Sequence, residues 1–366
     1  MSTKRPALAI IIPGGVGTGK DNIGVPVLLG LIKLICTKYD LTVFQLSKIN
    51  PGYKPEGFEL VSVYHSDSIL RIIRFPFIFR RYHRAKNFVA VHGFWAMPAG
   101  FLAVVVGKFF HIKSIVSVLG GDAVALPEIG YGRLHKPLLR SLTFWTLRKA
   151  THANALTQYL VNNLRQYGFK GNIQIIPWGV DRELFDYHPG SPNNIHTFLH
   201  VANFHPVKDQ ETLLRAFSII NKSLSSRLII IGSGDEHNKV LQLIEELQLQ
   251  SSVTILDPVP YEKLSSIYHS ANVLLHTSLS EGQCEVVTEA MSCGLPVCGT
   301  LVGLMHDLPD CCVAVDVRDY KSLAEKTLAL VNDPVRMNEI RMKAHQWTSH
   351  HDILWTSNEL MKLYEK

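Results

Sequence analysis

Short apolar runs rich in Val, Ile and Leu alternate with longer amphipathic segments along the whole chain. Such runs are typical of strands buried on both faces of a sheet, and the segments between them are long enough for crossover helices. This alternation predicts an α/β fold in which helices cover parallel sheets. The runs that predict strands are 8–12, 41–46, 88–92, 114–118, 153–156, 173–176, 197–201, 227–231, 253–256, 273–276, 296–299 and 312–315.

Two features divide these strands into two sets. The segment 187–194 is rich in Pro, Gly, Ser and Asn, which is typical of a linker. The sign of the charge changes nearby, because residues 1–180 hold 22 basic and 7 acidic side chains (net +15) and residues 181–366 hold 15 and 24 (net −9). We therefore predict domains over 1–185 and 186–345, followed by a C-terminal helix over 346–366.

Composition is that of a globular protein with two cores. A length of 366 residues exceeds what one ordinary core supports, and 46% hydrophobic against 19% charged residues argues against disorder. Glycines follow the first apolar run and also interrupt Val89–Phe110, so we predict neither an export signal nor a membrane span. The six cysteines form no Cys-x-x-Cys pair, which favours reduced cytoplasmic thiols and no metal site.

Two glutamates, Glu281 and Glu289, stand eight positions apart directly after an apolar run. If a helix begins near Gln283, Glu281 precedes its N-terminus and Glu289 lies almost two turns inside it, on about the same side. Helix N-termini accept phosphates, and carboxylates bind sugar hydroxyls. The alternative is a solvated acidic helix start, because Glu is favoured in the first turn of a helix.

Together with the segment Ala290-Met291-Ser292-Cys293-Gly294-Leu295-Pro296, this pair resembles the signature of the retaining glycosyltransferases of the GT-B fold (glycosyl transferases group 1, family 4). The resemblance implies two Rossmann-like doubly wound domains with a deep interdomain cleft, and a C-terminal crossover helix that packs back on the N-terminal domain. It also implies transfer from a UDP- or GDP-linked sugar to a glycan or lipid-linked acceptor, as in polysaccharide or lipopolysaccharide biosynthesis, with no metal and no cofactor besides this nucleotide-sugar co-substrate.

The same resemblance assigns roles around the glutamate pair. Glu289 would bind the ribose hydroxyls, and Glu281 would act in catalysis by orienting the donor sugar. The turn Gly282-Gln283-Cys284 would present backbone N–H groups to phosphate or sugar oxygens. Family members often carry Phe-Gly in place of Gln283-Cys284, so the resemblance leaves the donor sugar open.

A second loop of the C-terminal domain matches the family in part. The family usually places Arg, and Lys five residues later, on the donor diphosphate, and this chain has Asn203 and Lys208. Lys208 would neutralise the charge that develops on the leaving diphosphate, and is therefore a candidate for both binding and catalysis. Asn203 donates hydrogen bonds but carries no charge. A non-catalytic protein that binds nucleotide sugars is therefore an alternative.

The N-terminal domain contributes a glycine-rich turn over 14–21. It nearly matches a phosphate-binding P-loop, but Asp21 stands where the Ser or Thr that binds magnesium is required, so a nucleotide hydrolase is the less favoured alternative. By the resemblance, Gly15 and Gly17 would contact the donor diphosphate. Asp122 is a candidate catalytic residue because Leu119–Asp122 resembles the family's His-Gly-x-Asp segment, although Leu119 replaces its His and an N-cap role for Asp122 is as well supported.

Two basic stretches without acidic residues, Arg71–Lys86 and Arg133–Lys149, interleave cations with aromatic and aliphatic side chains. This mixture suits an anionic membrane surface, an anionic acceptor or a solvated face. We expect a cytoplasmic protein that binds peripherally to the inner face of the membrane. No nucleic-acid-binding motif is present, so we predict no nucleic-acid partner.

Overall fold

The computed structural model describes residues 5–18, 24–188 and 195–365. The chain forms two compact units, Met1–Trp178 with Ile353–Lys366, and Gly179–Asp352. The chain thus passes between the units after Trp178 and after Asp352, whereas the sequence predicted these boundaries after residues 185 and 345. Gly19, Lys20 and Asp21 of the glycine-rich turn and residues 189–194 of the predicted linker lie outside the described residues.

A seven-stranded parallel sheet forms the centre of the first unit, in the order β3-β2-β1-β4-β5-β8-β9. A short antiparallel hairpin, β6-β7, stands apart from it. The strands are β1 Ala7–Ile12, β2 Asp40–Gln45, β3 Glu59–Ser62, β4 Ala90–Phe94, β5 Lys113–Val118, β6 Ala125–Leu126, β7 Tyr131–Gly132, β8 His152–Ala155 and β9 Gln174–Ile175.

In the described part of this unit, six helices cover the sheet, and they bury separate apolar clusters on its two faces. Asp67 caps the longest helix, α2, by accepting hydrogen bonds from the backbone N–H groups of Ile69 and Leu70. Asn87 ends the helix in the left-handed conformation. The helices are α1 Pro26–Ile35, α2 Ser68–Lys86, α3 Phe101–Phe110, α4 Pro137–Lys149, α5 Gln158–Gln166 and α13 Ile353–Glu365.

The C-terminal helix α13 belongs to the first unit through a buried polar network. The Ser117 hydroxyl donates to Asn154 Oδ1 at 2.8 Å, so it accepts from His92 Nε2 at 2.7 Å. His92 Nδ1 is then the acceptor for the Tyr364 hydroxyl at 2.9 Å. Burial lowers the pKa of His92 to about 3, so the ring is neutral. His92 is therefore part of the core of the first unit.

The second unit has a six-stranded sheet, in the order β12-β11-β10-β13-β14-β15, in which every pairing is parallel. Its strands are β10 His196–Val201, β11 Ser226–Ile231, β12 Val253–Leu256, β13 Val273–His276, β14 Val297–Thr300 and β15 Val313–Val315. Its helices are α6 Gln210–Ser223, α7 His237–Glu246, α8 Leu264–Ser270, α9 Glu285–Ser292, α10 Leu304–Asp307, α11 Tyr320–Val331 and α12 Pro334–His350.

The expected α/β class with two Rossmann-like parallel-sheet units is confirmed, and each predicted strand lies within two residues of an observed one. The sequence missed β3, which is half exposed at an edge and lacks a continuous apolar run, and the two-residue strands β6 and β7. The six cysteines are buried free thiols. Among the described residues, no helix has both the length and the hydropathy to cross a membrane.

The network at α13 gives a stability prediction. Tyr364→Phe removes the hydroxyl that satisfies His92 and should lower the free energy of unfolding by about 1–3 kcal/mol, because a buried acceptor then lacks a donor. Tyr64→Phe is the matched control, because Tyr64 is exposed, and should change it by less than about 0.5 kcal/mol. Urea unfolding of both variants tests this, and equal effects would contradict the role given to Tyr364.

Candidate functional site

Each sheet has one point at which the strand order reverses. In the second unit it lies between β10 and β13, and in the first between β1 and β4. Loops that follow the two strands on either side of such a point leave in opposite directions and open a crevice at the carboxyl ends of the strands. Most of the residues singled out from the sequence follow these four strands, so the topology explains why they come together within each unit.

In the second unit, the loops after β10, β13 and β14 are locked together by hydrogen bonds. The Thr277 hydroxyl lies 3.0 Å from both the Lys208 and the Asp209 carbonyl oxygens, and Leu279 donates its N–H to the Val207 carbonyl. The Thr300 hydroxyl donates to the backbone carbonyl at position 278 at 2.6 Å. These contacts place the segments carrying Lys208 and Glu281 side by side.

Glu281 lies at the centre of this arrangement. Its Oε1 accepts hydrogen bonds from Lys208 Nζ at 2.5 Å and from the Ser278 hydroxyl at 2.6 Å. The side chains of Glu281 and Lys208 are 13% and 25% exposed, so the ion pair is largely removed from water. Burial raises the pKa of Glu281, but the ammonium group and the two hydrogen bonds outweigh it and hold the pKa below its ordinary value.

Two buried histidines lie behind this ion pair. His276 Nε2 is 3.6 Å from Glu281 Oε1, and His200 Nδ1 donates to the Leu275 carbonyl at 2.8 Å. Burial lowers the pKa of His276 to about 3 and that of His200 to about 4. Both rings are therefore neutral at physiological pH, and Lys208 is the cation paired with Glu281.

Glu289 has a different environment from Glu281. It lies in the second turn of α9, is buried, and accepts a hydrogen bond from the Tyr268 hydroxyl at 2.7 Å. Burial raises the pKa of Glu289 to about 7, while hydrogen bonds from Tyr268 and Tyr261 act in the opposite direction. The carboxyl group is thus poised to gain or lose a proton near neutrality.

The turn between the two glutamates has an unusual backbone. The helix α9 begins at Glu285, and its N-cap Cys284 has a φ of 82°. Gln283 is buried, its side-chain amide donates to the Thr288 hydroxyl at 3.1 Å, and its carbonyl accepts from the Leu304 N–H at 3.0 Å. A non-glycine residue at positive φ stores strain, and such strain is often found at ligand sites. Gly282, Gln283 and Cys284 therefore form a fixed turn in front of the helix.

In the first unit, the segments that follow β1, β4 and β5 line a cavity of about 650 Å³. Its wall includes the candidate residues Gly15 and Asp122, so the structure brings these two together. Gly17 does not line it, because the ring of Tyr53 packs where a Cβ on Gly17 would lie. The walls are formed by Pro13, Gly14, Gly15, Val25, Trp95, Met97, Gly121, Asp122, Tyr131, Gly132, Arg133, Lys136 and Leu139.

Asp122 is buried and organises this cavity. Its carboxylate accepts hydrogen bonds from the backbone N–H groups of Ala96 at 2.7 Å, Gly120 at 2.9 Å and Leu119 at 3.3 Å. Burial raises the pKa of Asp122, whereas these hydrogen bonds oppose that rise. These contacts join the loop after β4 to the loop after β5, so Asp122 positions both loops. A catalytic role for Asp122 remains a prediction.

The two basic stretches differ in structure. The first forms α2, which buries Phe75 and Phe79 but exposes Ile73 and Phe77. The second stretch does not form one surface. Its first residues, Arg133 and Lys136, line the cavity, whereas Arg140 lies over the ring of Tyr167.

Two groups of side chains in the second unit have atoms of the types that bind metals within 4.8 Å of one another. One group, Asp186 with His188 and His269, includes exposed side chains. The other, His276 with Glu281 and Cys284, shares Glu281 with the Lys208 ion pair. A cation there would compete with the ammonium group, so we assign Glu281 to the ion pair.

Comparison with known proteins identifies the family of this chain. Residues 181–347 match the family described as "Glycosyl transferases group 1", and residues 34–179 match "Glycosyl transferase 4-like domain". The chain belongs to the group 1 glycosyltransferases of the GT-B fold.

Relatives of this group 1 glycosyltransferase are distant in sequence and near in fold. The N-acetyl-alpha-D-glucosaminyl L-malate synthase of Bacillus anthracis is 23% identical over 265 residues, 68% of this chain and 66% of that protein. Sucrose-phosphate synthase from Thermosynechococcus elongatus has a TM-score of 0.80 at 20% identity, covering 99% of this chain and 98% of that one. Anabaena HepE in complex with UDP-glucose has a TM-score of 0.78 at 16% identity, covering 98% and 99%.

Sequence reasoning missed several residues of this group 1 glycosyltransferase site. Tyr261 and Tyr268 approach Glu289 from a different part of the chain, and no spacing in the sequence connects them. Glu285 was passed over because it is an ordinary first-turn acid in the sequence. In the structure, burial and the neighbouring carboxylates of Glu289 and Glu281 raise its pKa.

The ion pair of this glycosyltransferase gives a test by double substitution. Lys208→Ala leaves the carboxylate of Glu281 in a largely buried place without its cation, so the free energy of unfolding should fall by about 1–3 kcal/mol. Adding Glu281→Gln should recover part of that loss, because the unpaired charge is removed.

The matched control is Lys239→Ala, which breaks an exposed ion pair with Glu236 and should cost less than about 1 kcal/mol. Urea unfolding of the wild type, Lys208→Ala, Glu281→Gln and the double variant measures the coupling between positions 208 and 281. Strictly additive losses would show that the two side chains do not stabilise one another.

Proposed function

We propose that this protein transfers a sugar from a UDP- or GDP-linked donor to a hydroxyl of a glycan or lipid-linked acceptor, with retention of the anomeric configuration. The second unit holds the nucleotide sugar and the first unit holds the acceptor. The product would belong to a polysaccharide or lipopolysaccharide. Family membership supports the reaction class, and the chemistry of the second-unit loops supports the choice of donor.

The observation that carries the proposal is the buried carboxyl group of Glu289. A carboxylate with only part of its hydrogen-bonding capacity filled can accept the two adjacent hydroxyls of a ribose. Those hydroxyls would replace the hydration that burial removed and would stabilise the ionised form. Anabaena HepE, which shares the fold, is known in complex with UDP-glucose, which is consistent with this use of the site.

Lys208 supplies the charge that the reaction requires. As the bond between the anomeric carbon and the diphosphate oxygen breaks, its electron pair stays on the diphosphate. The acceptor oxygen bonds to the anomeric carbon and passes its proton to the departing diphosphate oxygen. An ammonium group has three N–H donors, so Lys208 can contact Glu281 and a phosphate together. We propose that this cation, rather than a metal ion, stabilises the leaving group.

A second candidate is binding of a nucleotide sugar without transfer. It is favoured by Asn203, which is exposed and uncharged in the loop where family members usually carry Arg. Nucleotide-sugar binding with neither transfer to a panel of acceptors nor slow hydrolysis would support this candidate instead.

The state of Glu289 predicts how donor affinity depends on pH. With the pKa at about 7, the carboxyl group is mostly protonated at pH 6 and mostly ionised at pH 8. Ribose hydroxyls donate to the ionised form, so affinity rises with pH through 7, and UDP-glucose or GDP-mannose should bind about tenfold more weakly at pH 6 than at pH 8. Titration calorimetry measures this change.

Two variants serve as controls for that profile. Glu289→Gln should bind weakly at both pH values, and Tyr268→Phe should move the midpoint upward because it removes a hydrogen bond that favours the ionised carboxylate. A flat wild-type profile, or one unchanged in Glu289→Gln, would refute the assignment of Glu289 to the donor.

We further propose that α2 lies on an anionic membrane surface. Its outward side carries exposed apolar side chains, and Phe77 is 71% exposed. From Leu70 to Lys86 the helix has no acidic residue. Each basic side chain near an anionic bilayer contributes ~1 kcal/mol. The exposed apolar residues are Ile69, Leu70, Ile73 and Phe77, and the exposed basic ones are Arg74, Arg80, Arg81 and Arg84.

Co-sedimentation with vesicles tests the membrane surface. The protein should bind phosphatidylglycerol vesicles at low salt and phosphatidylcholine vesicles much less. Phe77→Glu should weaken binding about tenfold or more, because it removes a large apolar side chain and adds repulsion. The control is Leu241→Glu, which changes an exposed apolar residue of the second unit and should have no effect. Binding that is equal in both variants would exclude α2 as the contact.

A further inference from the structure

The cavity of the first unit has a chemistry that the proposed reaction leaves unspecified. It lies between the segments that follow β1, β4 and β5, and its volume of about 650 Å³ is enough for a sugar ring with substituents. Three properties of its walls indicate which class of molecule it binds.

The first property is positive charge. Arg133 is half-buried and Lys136 is exposed at the wall of the cavity, and among the described residues neither forms an ion pair. Asp122 is the only acidic residue among the described lining residues, and three backbone N–H groups already occupy its carboxylate. The two cations are therefore available to an anion that enters the cavity.

The second property is a pair of aromatic walls. Trp95 and Tyr131 line the cavity together with apolar side chains, including Met97 and Leu139. Aromatic rings offer flat apolar surfaces for a sugar face or an alkyl chain.

The third property is the fixed position of Trp95. Its φ of 68° and ψ of 128° are unfavourable for a residue with a side chain. Asp122 holds the following N–H, that of Ala96, at 2.7 Å, and the Trp95 carbonyl accepts a hydrogen bond from Gly100 at 2.9 Å. The fold thus maintains a strained backbone that directs an aromatic side chain to the cavity.

We propose that this cavity binds an acceptor that carries a negative charge, a phosphate or a carboxylate, on a sugar or alkyl body. Arg133 and Lys136 bind the anion, and Trp95 and Tyr131 contact the body. This inference rests on the proposed function, because it names the class of acceptor for that reaction. It gives the basic residues at 133 and 136 a role in acceptor specificity.

Calorimetric titration of the full chain without donor tests the proposal. Glucose 6-phosphate and glucuronate should each bind about tenfold or more tightly than glucose, because a charge-assisted contact contributes that much. Arg133→Gln with Lys136→Gln should abolish the preference. The charge-conserving exchange Arg133→Lys with Lys136→Arg should keep most of the preference for the anionic ligands over glucose. The loss of this preference in the Gln variant would then result from the missing charges and not from misfolding.

Arg165→Gln is the matched control, because it removes an exposed cation of the same unit that does not line the cavity. It should leave the preference unchanged. Equal binding of glucose and glucose 6-phosphate, an equal effect of Arg165→Gln, or loss of the preference in Lys208→Ala would each overturn the proposal. The last result would place the anion in the second unit.

Decyl phosphate distinguishes the source of the anion. If decyl phosphate binds more tightly than glucose 6-phosphate, the acceptor is a lipid phosphate. If glucose 6-phosphate binds more tightly, the acceptor is a charged glycan. Both results support an anionic acceptor. Failure of the proposed function gives a different result. In that case anion binding at Arg133 and Lys136 persists while UDP- and GDP-sugars show no binding that depends on Glu289.

Discussion

The ion pair between Lys208 and Glu281 is the interaction on which the second unit's site depends. A carboxylate that is 13% exposed is unstable without a compensating cation, and the neighbouring histidines are neutral, so the loop after β10 must bring Lys208 to the loop after β13. Hydrogen bonds through Thr277 and Thr300 hold these loops and that of β14 in one arrangement. The position of the cation is thereby fixed before any ligand arrives, which is what electrostatic stabilisation of a leaving group requires.

The two glutamates of the motif are close in sequence and opposite in electrostatics. Glu281 is held ionised by an ammonium group, whereas Glu289 has tyrosine hydroxyls as partners and a pKa of about 7. The loop before α9 thus carries a carboxylate that stays ionised, Glu281, and the second turn of α9 carries one that titrates near neutral pH, Glu289. The first unit also has a buried acid, Asp122. Its carboxylate binds backbone N–H groups of two loops and pairs with no cation among the described residues. In both units a buried acid joins loops at the carboxyl ends of the strands.

The sequence predicted the two α/β units because strands buried on both faces are short continuous apolar runs, and longer amphipathic segments separate them. Through the family resemblance it also assigned Lys208 and Glu281 to one donor site, and the structure brings them together because both follow strands that flank a reversal of strand order. It could not predict that Tyr261 and Tyr268 surround Glu289, because contacts between distant segments leave no local pattern. For the same reason it assigned Arg133 and Lys136 to a general basic surface, whereas only tertiary structure shows that they line a cavity.

In the proposed reaction, the second unit holds a nucleotide sugar with its ribose on Glu289 and its diphosphate on Lys208. A crystal structure of the protein with bound UDP-glucose or GDP-mannose shows directly whether it does. Both ribose hydroxyls should lie within hydrogen-bonding distance of the Glu289 carboxylate, and a phosphate oxygen should contact Lys208 Nζ while the Lys208–Glu281 contact is retained. A nucleotide bound elsewhere, or a ribose that does not touch Glu289, would refute this donor site.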